Sequence, residues 1–134
     1  MSKRVLIVED ERLLARTLST ALRDAGYDTV VSHTAEQAER HWLSKRGFDL
    51  AILDNRLPKS TGLDLLKSVR EHGIDSKVIL VTAFDRRGVK AEAKRLGVDK
   101  YLRKPFDLDS ILSTVNELIG PPGNGAPMNP QEGG

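Results

Sequence analysis

Five polar residues in this chain sit at the ends of short apolar runs, and their types suit one kind of chemistry. Glu9 and Asp10 follow Val5-Leu6-Ile7-Val8, Asp54 follows Leu50-Ala51-Ile52-Leu53, Thr82 follows Val78-Ile79-Leu80-Val81, and Lys104 lies just past Tyr101-Leu102. Singly, each has an ordinary explanation: an acid after a strand caps a helix, a threonine makes a turn, a lysine is solvated. Gathered at one place they mean more. Three crowded carboxylates repel and raise one another's pKa unless a cation is present, and hard oxygen ligands with several waters suit Mg²⁺ or Mn²⁺. Lys104 adds a fixed cation, and Thr82 adds a hydroxyl able to donate to an oxyanion. That set describes a phosphoryl site, where positioning and charge neutralisation do most of the catalysis and a carboxylate can act as nucleophile.

The gathering depends on the elements that carry these residues. The four apolar runs named above, together with Thr29-Val30-Val31, are short and β-prone, as expected of strands covered on both faces. Stretches of helical periodicity alternate with them: Arg12 to Ala25, Thr34 to Arg46, Gly62 to His72, Asp85 to Leu96 and Leu108 to Ile119. Thr34 with Gln37, and Thr61 with Asp64, have the spacing of a cap and its third-position partner, while Asp107 is placed as an N-cap. Gly26, Gly97 and Gly120 follow their helices as stops. Strict alternation of strand and helix implies a doubly wound α/β fold with a parallel sheet. In such a sheet ligands bind beyond the C-terminal ends of the strands, which is where all five polar residues fall.

The chain has 134 residues, enough for one compact domain and too few for two ordinary ones. It has no cysteine, which excludes disulfides, thiolate nucleophiles and thiolate zinc sites. His33, His41 and His72 are scattered singly, without ligand-like spacing. No apolar run approaches the roughly 20 residues of a membrane span, and the short apolar run near the N-terminus is too small for a signal-peptide core, so a cytoplasmic location is expected. A formal charge of +2 and a pI near 9.0 give too weak an excess to argue for nucleic-acid binding. From Pro121 to Gly134 the chain is mostly Gly, Pro and polar residues and reads as a flexible tail or truncated linker, leaving residues 3–120 as the domain.

The strings Val5-Leu6-Ile7-Val8-Glu9-Asp10-Glu11, Leu53-Asp54-Asn55-Arg56-Leu57-Pro58 with Gly62-Leu63, Val81-Thr82-Ala83 and Tyr101-Leu102-Arg103-Lys104-Pro105-Phe106 resemble the receiver domain of bacterial two-component response regulators. The resemblance runs from about residue 3 to residue 120. It implies a flavodoxin-like receiver fold, with a five-stranded parallel sheet in the order 2-1-3-4-5 and five helices. It also implies that Asp54 accepts a phosphoryl group from a phosphohistidine. Asp10 and Asp54 are then direct metal ligands, Glu9 holds the metal through water, and the Arg56 carbonyl completes the protein ligands. Thr82, Lys104 and the Ala83 backbone contact the phosphoryl oxygens, Tyr101 rotates with the state of Thr82, and Lys104–Pro105 is a cis peptide, plausible because its second residue is proline. Arg56 and Phe84 border the route by which water reaches the acyl phosphate, and neither can hold that water in line, which implies slow hydrolysis.

The partners implied are a sensor histidine kinase or phosphotransfer protein, and a downstream protein or attached output domain. The latter meets a face formed by the fourth helix, fifth strand and fifth helix. That face carries Arg86, Arg87, Lys90, Lys94, Arg95, Lys100 and Arg103, which read more readily as a solvated helix side than as a binding patch. A homodimer is among the partners left open, although Leu108-Asp109-Ser110-Ile111-Leu112-Ser113 lacks the Glu-Leu-x-Ala-Arg run of the winged-helix branch, which argues against a dimer of that particular kind. Two other readings stay open. A Mg²⁺-dependent phosphatase with an Asp nucleophile wants a second carboxylate two residues later, where Arg56 stands. A receiver-like binding module that is never phosphorylated usually lacks one of the five positions, and all are present.

Overall fold

The computed structural model describes residues 2–44, 46–83 and 87–123. In chain order the elements are β1 Arg4–Val8, α1 Arg12–Asp24, β2 Asp28–Ser32, α2 Ala35–Trp42, β3 Leu50–Asp54, β4 Arg56–Leu57, β5 Ser60–Thr61, α3 Gly62–Glu71, β6 Lys77–Thr82, α4 Val89–Arg95, β7 Lys100–Arg103 and α5 Leu108–Ile119. The main sheet runs β2-β1-β3-β6-β7, every pair parallel. Counting only its own strands, this is the order 2-1-3-4-5. A two-residue turn at Pro58-Lys59 joins the short antiparallel pair β4 and β5.

The central strands β1, β3 and β6 are mainly apolar because both faces of the sheet are covered. Along β1 the side chains alternate: Val5 and Ile7 belong to one buried cluster with Leu18, Leu22, Ile111 and Val115 of α1 and α5. Leu6 and Val8 belong to the other, with Trp42, Leu66, Val69 and Ala93 of α2, α3 and α4. Each fully buried Leu or Ile contributes about 1.5–3 kcal/mol of transfer free energy. At the far side of the sheet from the polar residues, Trp42 Nε1 donates to Ser76 Oγ at 3.0 Å, and that hydroxyl donates to the Phe48 carbonyl at 2.7 Å.

Local signals behave as their chemistry predicts at three helix starts. Thr34 accepts from the Gln37 N–H, Thr61 from the Asp64 N–H and Asp107 from the Ser110 N–H. Helix ends fall within one residue of expectation, except at the end of α2 and the start of α4. α2 ends at Trp42 rather than Arg46, because the chain must turn to bring Phe48 against the core, where Arg4 lies over its ring. α4 is described from Val89, because Gly88 has φ of 90° and no right-handed helix passes through such a residue, while Asp85, where the helix was expected to begin, lies outside the described residues. Among the described residues no helix is long and apolar enough to cross a membrane. Of the expected tail, Pro121 to Gly123 are described: the Lys3 N–H donates to the Pro122 carbonyl at 2.7 Å, and Ser2 forms an antiparallel bridge with Gly123. Residues 124–134 lie outside the described residues.

Candidate functional site

Strand register builds the site. Val8 pairs with Leu53, so Glu9 and Asp54 are the next residues on neighbouring strands. Asp54 pairs with Val81, which puts Thr82 one step beyond, and Thr82 pairs with Arg103, which puts Lys104 one step beyond again. The Lys104 N–H donates to the Thr82 carbonyl at 2.8 Å, fixing the start of the lysine side chain against the end of β6. Lys104–Pro105 is cis, as expected.

Asp54 closes β3 and is 5% exposed. Its Oδ1 accepts from the Arg56 N–H at 3.0 Å and its Oδ2 from Lys104 Nζ at 2.9 Å. The backbone beside it is held by Asn55, whose N–H donates to the Val81 carbonyl, whose carbonyl accepts from Gly62, and whose Oδ1 accepts from the Leu63 N–H. Lys104 Nζ also reaches Glu9 Oε1 at 3.1 Å and Glu11 Oε1 at 3.0 Å. One oxygen from each of Glu9, Glu11 and Asp54 lies within 4.8 Å of the others.

The electrostatics show what this arrangement wants. Burial, followed by the charge of Asp54, pushes the Glu9 pKa up to about 7, although the Glu11 N–H and Lys104 both stabilise its ionised form. Burial also opposes the charge on Lys104. Its bonds to Asp54 and Glu11, the Asp54 charge and the bond to Glu9 outweigh that penalty and hold its pKa above the ordinary lysine range. With every group ionised, three carboxylates face one ammonium. The surplus is negative, and a divalent cation would neutralise it. Opposite ligands of an octahedral Mg²⁺ stand roughly 4 Å apart, so the oxygen spacing also fits such an ion.

The residues expected at the site divide into several groups. Glu9, Asp54 and Lys104 touch, and Thr82, 4% exposed, closes β6 beside them. Asp10, expected as a direct metal ligand, is exposed and stands outside the three-carboxylate group, whereas Glu11 belongs to it. Arg56 and Ala83 are exposed at the rim. Tyr101 is half-buried in β7, with Lys90 Nζ 5.3 Å from the centre of its ring. Phe84 and Arg86 lie outside the described residues. Arg87, Lys90, Lys94, Arg95, Lys100 and Arg103 are all exposed, with Arg95 paired to Glu92.

Comparison with known proteins accords with this geometry. Residues 5–116 match the family model of the response regulator receiver domain. The response regulator protein PmrA of Pseudomonas aeruginosa is 39% identical over 115 residues, which cover 86% of this chain and 52% of that protein. The chain spans about half the length of such curated relatives. The receiver domain of the Francisella response regulator 1452 superposes with a TM-score of 0.79 at 31% identity, covering 87% of this chain and 96% of that one. A Burkholderia pseudomallei response regulator solved with a phosphorylated aspartic acid, a calcium ion and citrate superposes with a TM-score of 0.73 at 27% identity, covering 83% of this chain and 65% of that one. Since the family match runs from β1 into α5 and takes in every strand end that builds the site, the chain belongs to the response regulator receiver domain family.

Proposed function

We propose that this chain is a phosphorylation-driven signalling switch whose phosphoryl acceptor is Asp54. One observation carries the reading: Asp54 is a buried carboxylate at the end of a central strand, with its two oxygens oriented by the Arg56 N–H and the Lys104 ammonium. The donor is a phosphohistidine of a sensor histidine kinase or phosphotransfer protein. An Asp54 oxygen attacks phosphorus, the P–N bond breaks with its electron pair returning to the imidazole, and an acyl phosphate remains. A divalent cation, Mg²⁺ or Mn²⁺, would be held by the acids at this edge and the Arg56 carbonyl, and would supply charge neutralisation for the arriving phosphoryl oxygens. Within that set Glu9 and Asp54 are buried, and Asp10 stands at the rim. Lys104 turns from Asp54 to a phosphoryl oxygen, and the Thr82 hydroxyl and Ala83 N–H donate to others.

The output is a changed surface. As Thr82 is drawn to the phosphoryl group, Tyr101 turns inward and the face of α4, β7 and α5 changes its affinity for a downstream protein or attached domain. Residues 3–120 form this unit, with the rest as tail or linker. The work is regulatory and takes place in the cytoplasm. Arg56, exposed beside the acceptor, lengthens the life of the phosphorylated form together with Phe84. The phosphorylated aspartic acid of the Burkholderia relative supports the assignment of chemistry.

The test is incubation with Mg²⁺ and a small acyl-phosphate donor, read by intact mass. The protein should gain one phosphoryl group that is lost in alkali, and Asp54→Asn should gain none. Orthophosphate release without an adduct would indicate a phosphatase, and neither outcome a binding module. Labelling that persists in Asp54→Asn would move the acceptor to another carboxylate.

A further inference from the structure

Lys104 presents a competition that the proposed switch has to resolve. Its ammonium has three donor hydrogens, and Glu9, Glu11 and Asp54 lie at 3.1, 3.0 and 2.9 Å. A divalent cation at this edge needs Glu9 and Asp54, the two buried members, and so competes with the ammonium for the same oxygens. A like charge left unpaired beside the ion would repel it. The lysine backbone is held by its bond to the Thr82 carbonyl, so only the side chain can yield.

Glu11 is placed to receive it. Its side chain is 63% exposed and lies in contact with water. It stands at the N-cap of α1 and makes no side-chain cap bond there, so its carboxylate is not committed to the helix start. Its carboxylate turns to Lys104 instead, and its own N–H donates to Glu9 Oε2 at 3.1 Å. The lysine thereby has a partner outside the buried pair.

We propose that Glu11 is the alternative counter-ion of Lys104: it retains the ammonium when a divalent cation takes Glu9 and Asp54, and so sets how tightly that cation binds. This rests on the metal-assisted reading above. Glu11 acts through the lysine and is a positioning residue, not a ligand. Removing its charge leaves Lys104, among the described residues, only the oxygens the cation needs, which weakens cation binding. Without Lys104 there is no ammonium to retain, and most of the effect should vanish.

The experiment is a double-mutant cycle on Mg²⁺ affinity, measured by calorimetry with Mg²⁺ alone on the unphosphorylated chain. Glu11→Gln should weaken binding by about threefold or more, the scale of a partly exposed ion pair. In a Lys104→Ala background the same change should have less than half that effect on a logarithmic scale, and Lys104→Met serves as the background if the alanine variant does not fold. Equal loss in both backgrounds would mean that Glu11 acts on the cation directly, and no loss in either would mean that it does not matter; each overturns the proposal while leaving the metal reading intact. A wild-type chain that binds no Mg²⁺ overturns both.

Discussion

Glu9 is a carboxylate that the sheet has taken almost wholly out of water, at 3% exposure, and set against a second carboxylate. Its pKa of about 7 in the folded chain exceeds the 4.5 of an ordinary glutamate. Between those values the folded form holds a proton that the unfolded form has released, so stability must fall as pH rises through that window. Without divalent ions, the melting temperature of the wild type should drop between pH 5 and pH 8 relative to Glu9→Gln, by the equivalent of no more than about 3 kcal/mol. Mg²⁺ should reverse the drop. Parallel melting curves for the two proteins would mean that Glu9 stays ionised throughout. At this scale the sequence was informative for residues directly attached to a strand end. Asp54, Thr82 and Lys104 could be placed by counting from an apolar run, because parallel register carries each onto the same edge. The partition among Glu9, Asp10 and Glu11 was harder, since three consecutive acids look alike until the direction of the backbone between β1 and α1 is known.

At the scale of elements, the start of α3 limits what can stand beside the acceptor. Gly62 is the first residue of the helix, and a Cβ built on it would lie 2.6 Å from the Asp54 carbonyl oxygen and 3.2 Å from Asn55 Cα. The obstacle is backbone, which cannot swing away as a side chain can, so the glycine is required by space. Gly62→Ala should destabilise the chain by about 1–3 kcal/mol in chemical denaturation and also slow phosphoryl labelling, because the atoms that must shift carry Asp54. Unchanged labelling with lowered stability would show that the displacement is absorbed by α3. The five helices and the five strands of the main sheet were plain from periodicity, the two-residue strands β4 and β5 were not, and the caps Thr34, Thr61 and Asp107 were readable because a hydroxyl or carboxylate three residues before a backbone N–H is a local matter. The ends of α2 and the start of α4 were not, since Phe48 docking and the left-handed turn at Gly88 are decided by tertiary packing.

Across the whole molecule the two edges of the sheet do different work. The strand-end edge carries the charged site, while the strand-start edge is tied by Arg70, whose guanidinium donates to the carbonyls of Ile74, Ser76, Leu96 and Gly97. One side chain thereby joins the end of α3, the end of α4 and the chain entering β6. Arg70→Leu should cost about 2–3 kcal/mol of stability with Mg²⁺ affinity unchanged, and Arg70→Lys should recover less than half, since a single ammonium cannot span the same carbonyls. A change in Mg²⁺ affinity would show that the two edges are coupled. On the Arg70 side the chain also enters and leaves: Ser2 bridges Gly123, and Lys3 bonds Pro122. The order of elements along the chain is therefore separable from their order in space. A short link from Gly123 back to Ser2 would close the chain into a ring. A ring reopened at the Pro58-Lys59 turn would be a circular permutant that keeps the same sheet and begins and ends beside its own acceptor.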